Sequence, residues 1–191
     1  MSMYENRKSK KKTDRIPGTI CITNRHLAAD LLRQIAIAID AGADTILLRE
    51  KDLPEEEYER LAKQVMALCE EKNALCVLHS FTGVARRLGC PRIHLTLEDF
   101  LAMTEEERAD FQMIGVSVHS VDDAARCQEL GASYITASHI FPTECKAGLA
   151  PRGLDFLRRV CRAVSIPVYA LGGSQKSAFL TVWQPARQAS A

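Results

Sequence analysis

The sequence has no pair of cysteines at CxxC spacing, no apolar run near the ~18 residues a membrane span needs, and almost no net charge. The first absence argues against a zinc site, and the second against a transmembrane helix. Net charge is +1, from 25 basic and 24 acidic residues, so the overall balance asks for neither nucleic acid nor an anionic membrane as partner. The basic run Arg7-Lys8-Ser9-Lys10-Lys11-Lys12 has no apolar segment behind it, which argues against a signal peptide. It is short and has no aromatic neighbours. Residues 1–15 therefore read as a solvated, disordered tail rather than a nucleic-acid arm or a targeting signal. Seven cysteines (21, 69, 76, 90, 127, 145 and 161) fall mostly inside apolar segments, and they read as buried, reduced thiols of a cytoplasmic protein.

What is present fits one domain. At 191 residues, 47% hydrophobic and 26% charged, the chain can bury a sizeable core and lies in the ordinary globular range. From residue 19 onward, strand and helix signals alternate. Short apolar runs at 19–23, 44–48, 74–78, 92–95, 113–118, 134–137 and 166–171 read as strands. Between them lie helical patterns: 27–41 closing at Gly42, a helix opened by Pro54 with Glu55, Glu56 and Glu57 in its first turn, a short one through Val84 and Ala85, an acidic one over 97–109, one capped by Ser120, and one through Leu154, Leu157 and Val160. Strands that are apolar throughout, rather than alternating, are covered on both faces, which predicts a parallel sheet between helices. Seven β/α steps suit an open doubly wound sheet or a (β/α)₈ barrel short of its eighth unit. No G-x-G-x-x-G follows the first strand, which disfavours a dinucleotide fold.

In a barrel, chemistry collects at the C-terminal ends of the strands. Arg49-Glu50-Lys51-Asp52 follows strand 2, His79-Ser80 follows strand 3, and Thr96, Glu98 and Asp99 follow strand 4. His119-Ser120 follows strand 5. Ser138-His139 and the loop Phe141-Pro142-Thr143-Glu144-Cys145-Lys146 follow strand 6, and Gly172-Gly173 follows strand 7. Arg49, Lys51 and Lys146 bring positive charge to one end, and the glycine pair offers backbone N–H groups, a set suited to a phosphate or carboxylate. The competing reading pairs Arg49 and Lys51 with Glu50, Asp52 or Glu98 as rim ion pairs; the joint placement favours anion binding. His139, His79 and His119 are candidate acid/base groups, whereas His26 and His94 read as structural. His79, Glu98 and Asp99 match no standard ligand spacing, so no metal site is expected.

Four segments carry a family resemblance: Leu47-Leu48-Arg49-Glu50-Lys51-Asp52, Ile114-Gly115-Val116-Ser117-Val118-His119-Ser120, Ile140-Phe141-Pro142-Thr143-Glu144-Cys145-Lys146, and Ile166-Pro167-Val168-Tyr169-Ala170-Leu171-Gly172-Gly173. In this order they resemble the thiamine phosphate synthase/TenI family from residue 19 to 173, and the resemblance implies a TIM-type (β/α)₈ barrel. Its synthase branch joins a pyrimidine diphosphate to a thiazole phosphate with magnesium. Where that branch has Asn-Asp after strand 3, this chain has His79-Ser80. Its Gly-Gln-Glu-Asp reads Thr96-Leu97-Glu98-Asp99 here, and its Thr-x-Thr-Lys reads Thr143-Glu144-Cys145-Lys146. The TenI branch resembles a thiazole tautomerase, an isomerase that aromatises a thiazole carboxylate phosphate by moving protons. Its His-hydrophobic-Phe-x-Thr-x-Cys-Lys-x-Gly-Leu pattern is matched by His139, Ile140, Phe141, Thr143, Cys145, Lys146, Gly148 and Leu149.

The resemblance therefore implies a tautomerase of thiamine biosynthesis with His139 as general acid/base and no cofactor. It further implies Arg49, Lys51, Ser117, His119, Thr143, Lys146, Gly172 and Gly173 as substrate- and phosphate-binding residues. Magnesium enters only under the alternative, a thiamine phosphate synthase; a further alternative is an inactive family member. The expected partner is a small phosphorylated thiazole, with a homo-oligomer possible. The barrel domain is expected over 16–173. Residues 174–191 show no Gly-Ala-initiated strand where the family has its eighth, so the barrel is expected to lack its eighth strand and final helix, as at a premature or frame-shifted end. Open edges on strands 1 and 7 would then favour weak stability and self-association.

Overall fold

A computed structural model describes residues 17–138, 140 and 152–171. Seven strands form one sheet in chain order: β1 (Ile20–Ile22), β2 (Thr45–Leu48), β3 (Leu75–His79), β4 (Arg92–Thr96), β5 (Met113–Val118), β6 (Tyr134–Ser138) and β7 (Val168–Leu171). Each pairs with the next in parallel. The helices are α1 (Leu31–Asp40), α2 (Glu55–Glu71), α3 (Thr82–Arg87), α4 (Leu97–Ala102), α5 (Glu105–Ala109), α6 (Val121–Glu129) and α7 (Gly153–Ala163). This is a TIM-type barrel without its eighth strand and final helix among the described residues. The open doubly wound alternative is set aside, because the sheet curls on itself. The Tyr169 hydroxyl of β7 donates to the carbonyl of Pro17, just ahead of β1.

Strand alternation sorts side chains into two cores. Outward-facing Ile46, Leu48, Leu78, Ile93, Leu95, Val116 and Ile135 are fully buried against the helices. Each contributes about 1.5–3 kcal/mol relative to an exposed side chain. Inward-facing Ile20, Leu47, Val77, Met113, Tyr134 and Tyr169 meet in a separate cluster inside the barrel. His94 of β4 joins them, its ring centroid 5.5 Å from that of Tyr134.

Local chemistry explains the helix limits. In α2 the first turn carries Glu55, Glu56 and Glu57, and Tyr58, Ala62, Val65 and Cys69 form one buried face. Ser120 caps α6 by accepting from the Asp123 N–H at 3.0 Å. The acidic stretch expected as one helix over 97–109 is two. Met103 is extended, and Thr104 starts α5 with a capping box in which Thr104 and Glu107 exchange hydrogen bonds at 2.9 and 3.2 Å. The helix expected over 27–41 starts only at Leu31, because Asp30 caps it and Arg25–Leu27 form a separate 3₁₀ turn. Strand 3 runs one residue past its expected end, so His79 belongs to β3.

Cys21, Cys69, Cys76, Cys90 and Cys127 are buried free thiols, and Cys161 is half-buried; burial pushes the Cys21 and Cys127 thiols up to about 11. Among the described residues no helix is long and apolar enough to cross a membrane.

Gly115 sits where Tyr134 and His94 cross the interior, and an added methyl there would collide with both rings. Gly115→Ala is expected to cost about 1–3 kcal/mol by overpacking, read as a lower urea midpoint. An unchanged midpoint would show that the interior can yield.

Candidate active site at the barrel mouth

Two sets of hydrogen bonds hold the mouth in place. The Tyr58 hydroxyl of α2 donates to the carbonyl of Leu48 at 2.8 Å and accepts the His79 N–H at 2.9 Å, tying the end of β2 to the end of β3. Glu50 turns inward and is 3% exposed. Its carboxylate accepts from the Thr23 hydroxyl at 2.7 Å and from the Arg25 N–H at 3.1 and 3.2 Å. Thr23 in turn accepts the Arg49 N–H at 3.0 Å. Asp52 is taken by the Arg25 guanidinium at 2.6 Å and by His26 at 3.0 Å.

The rim-ion-pair reading of Arg49 and Lys51 therefore fails. Glu50 and Asp52 belong to Arg25, and among the described residues neither Arg49 nor Lys51 has a carboxylate at ion-pair distance. Burial and the neighbouring Arg49 lower the Lys51 pKa, and Asp99 partly offsets them. Two flanking cations thus reach the strand ends with no carboxylate at ion-pair distance among the described residues.

Beneath them lies a chain of buried polar groups. His94 is 1% exposed; its Nδ1 is 3.1 Å from the Tyr134 hydroxyl and its Nε2 is 2.9 Å from Ser117 Oγ. Ser117 Oγ is also 3.1 Å from Thr136 Oγ1. His79 stacks on His94 with ring centroids 5.7 Å apart, and its Nδ1 is 2.8 Å from Ser80 Oγ. Burial pushes His79 down to about 2, helped by His94, Lys51 and Arg49. Burial, with Lys51 and Arg49, pushes His94 down to about 3. Both imidazoles are neutral at pH 7. Ser80 occupies the left-handed region with φ 63°, a costly conformation for a side chain bearing a Cβ.

Of the expected site residues, the structure brings Arg49 and Lys51 to the mouth and points Ser117 into the interior network. His119 is exposed beside the end of β6, its Nδ1 3.3 Å from the Ser138 carbonyl and 3.4 Å from its hydroxyl. His139, Thr143, Lys146, Gly172 and Gly173 lie outside the described residues, as do Cys145 and the tails 1–15 and 174–191. The structural reading of His94 holds, but the sequence reading missed that it links to His79, Tyr134 and Thr136. The inward parity of residue 94 within its strand was the available signal.

The magnesium implied by the family resemblance can be tested against the donors present. Ser80 stands where a carboxylate is expected, and its Oγ is 3.5 Å from Asp99 Oδ2. Among the described residues no three His, Cys, Asp or Glu side chains gather closely enough to hold a metal. This includes His79, Glu98 and Asp99. The set does not fit a magnesium ion held by protein carboxylates.

Fold and site together define a (β/α)-barrel protein with a cationic, histidine-floored mouth at the C-terminal ends of its strands. The chain belongs to the thiamine monophosphate synthase family (TMP-TENI), whose sequence pattern matches residues 19–189. It is 33% identical over 159 residues to the putative thiamine-phosphate synthase 2 of Aquifex aeolicus, covering 83% of this chain and 86% of that one. It is 33% identical over 152 residues to the thiamine-phosphate synthase of Pyrococcus abyssi, covering 80% and 73%. The thiamine phosphate pyrophosphorylase structure from Pyrococcus furiosus superposes with a TM-score of 0.70 at 30% identity, covering 81% of this chain and 74% of that one. These relatives bear the synthase name, so the expected placement nearest the tautomerase branch gives way to the family as a whole.

The buried imidazoles set a pH dependence of stability. Their folded pKa values lie below the ordinary 6.5, so the unfolded chain binds more protons at acid pH. Their contribution is complete above pH 6.5 and is lost as the pH falls toward the folded values, by up to about 1.4 kcal/mol per pH unit for each imidazole. Urea unfolding at pH 7, 6 and 5 should show a steeper decline for the parent than for a His79→Asn/His94→Asn variant. Parallel declines would mean that the histidines are accessible to protons in the folded protein.

Proposed function

We propose that this protein is a thiamine-phosphate synthase, a transferase that joins a pyrimidine diphosphate to a thiazole phosphate. The observation that carries this reading is a third of residues shared, over four-fifths of the chain, with proteins so named. The mouth adds chemical support. Among the described residues Arg49 and Lys51 have no carboxylate at ion-pair distance, so they can attract and orient phosphate oxygens at little cost in broken ion pairs. In this reading Thr143, Lys146, Gly172 and Gly173 complete the anion contacts from the loops after β6 and β7, and Ser117 and His119 line the same opening. The walls of the barrel exclude bulk water below the reacting groups, which strengthens every charge interaction there.

Two features of the sequence favour a second reading. Ser80 replaces the carboxylate after β3, and the His139-to-Leu149 pattern is that of a thiazole tautomerase. There His139 would take a proton from one atom of a thiazole carboxylate phosphate and return it to another, with the same cations clamping the phosphate.

Two assays separate these readings. Incubation with the pyrimidine diphosphate and thiazole phosphate, with and without magnesium, should yield thiamine phosphate. If no product forms while a thiazole carboxylate phosphate is aromatised, and that rate falls at least about 100-fold in His139→Ala, the synthase reading is overturned in favour of the isomerase.

A further inference from the structure

We propose that the open seam between β7 and β1 is a self-association surface, where two copies dock about a two-fold axis with α7 of each against α1 of the other. The seam lies in the barrel wall rather than at the mouth, and the pairing holds whichever reaction the mouth performs.

Two free strand edges define the seam. Among the described residues β1 pairs only with β2, and β7 only with β6. Inside, the Tyr169 hydroxyl reaches the Pro17 carbonyl, so the two edges border one opening rather than pointing apart. Unpaired edge backbone is a template for another chain unless something covers it. Exposed apolar side chains gather at the same place. Among the described residues three large ones are exposed: Leu27 at 65%, Ile37 at 53% and Leu154 at 48%. Leu27 is on the turn after β1, Ile37 is on α1, and Leu154 is in the first turn of α7, so all three sit on segments that border the seam. A shallow pocket at the free edge of β1, with Cys21, Ala28, Leu31 and Ile35 in its lining, continues this apolar surface.

Helix phase aims these groups at the opening. Asp40 of α1 meets Lys72, just beyond α2, at 2.8 Å, so the Asp40 flank of α1 faces α2. The opposite flank, with Leu31 and Gln34, faces the pocket and the seam. The buried faces of α1 and α7 share one spacing, Ile35 and Ala38 against Leu157 and Val160. In that register Leu154 and Arg162 of α7 correspond to Leu32 and Asp40 of α1. They lie on the flank that in α1 looks toward the next helix. In α7 the same flank looks into the seam.

Charge selects a second copy as the occupant. α7 carries Arg158, Arg159 and Arg162 behind its N-cap Arg152, against one acid, Asp155, which Arg158 holds at 2.9 Å. On the other side α2 carries six glutamates against Arg60 and Lys63. Arg87 takes Glu55 and Glu59, and an acidic surplus remains. The seam is therefore basic on its α7 side and acidic on its α1–α2 side. Nucleic acid or an anionic membrane would be repelled by the acidic side. A two-fold that sets α7 against α1 brings each basic side to an acidic one and buries Leu154 against Ile37 twice. A two-fold that set α7 against α7 would oppose like charges.

The test is sedimentation equilibrium of the full chain at pH 7, which should show monomers and dimers in reversible exchange. Ile37→Glu/Leu154→Glu should raise the dimer dissociation constant at least about 30-fold, as for loss of central apolar contacts. Ala102→Glu/Ala109→Glu adds the same charge at exposed positions of α4 and α5 and should leave it within about twofold. Arg162→Glu should also weaken the dimer, and more at about 0.1 M than at about 1 M salt. If the double seam variant does not fold, hydrogen exchange of the parent decides. Amides of Ile20–Ile22 and Val168–Leu171 should exchange more slowly as protein concentration rises, while those of β4 should not change. A parent that is monomeric at every concentration would overturn the inference. If its seam variant then keeps that mass but loses urea stability, other residues of the same chain cover the seam. Edge amides indifferent to concentration, or assemblies that grow beyond two copies, would also overturn the closed pairing.

Discussion

Burial and nearby cations disfavour a charged imidazole inside this barrel. His94 crosses the space that Gly115 leaves open, and Tyr134 and Ser117 occupy its two ring nitrogens. Burial and the two cations at the mouth then keep the ring neutral. His79 stacks above it under the same restraint. A protonated ring at either position would place like charge beside Arg49 and Lys51 in a poorly solvated space, so the neutral state of this pair governs both packing and the chemistry available at the mouth.

From that pair the remaining organisation follows outward. Tyr58 fixes the ends of β2 and β3 relative to each other, and so sets the position of His79 against Arg49. Glu50 and Asp52 are consumed by Thr23, Arg25 and His26 on the β1 side. Each acidic residue in Arg49-Glu50-Lys51-Asp52 is matched by a partner more than twenty residues away, while among the described residues Arg49 and Lys51 have no carboxylate at ion-pair distance. An alternation of charges that resembles a self-neutralising surface segment becomes a net cationic opening.

The polar groups of the site and the apolar groups of the core also divide the strands between them. Lower inward positions carry Ile20, Leu47, Val77, Met113 and Tyr169, and the upper positions of β3 to β6 carry His79, His94, Ser117 and Thr136. Apolar packing thus fills the lower interior of the barrel, and hydrogen bonding among polar side chains fills the upper. The same closure leaves β1 and β7 each with a single strand partner among the described residues, joined at their lower ends by Tyr169 and Pro17.

Much of the fold was legible because burial repeats locally. Apolar runs marked all seven strands, and Pro54, Ser120 and Gly42 marked helix limits through their own backbone chemistry. The split at Met103 was missed because a capping box of Thr104 and Glu107 competes with an otherwise continuous helical pattern. At the site, Arg49 and Lys51 were legible from their place after a strand. The ion-pair alternative could be excluded only once Arg25 was seen to hold Glu50 and Asp52. The sequence by itself therefore determined which segments are strands and helices and which polar residues follow the strands at one end of the sheet, since these depend on neighbours a few residues away. Only the tertiary structure decided which polar groups satisfy one another and which remain open, because partners such as His94 and Tyr134 are 40 residues apart and meet only when the sheet curls.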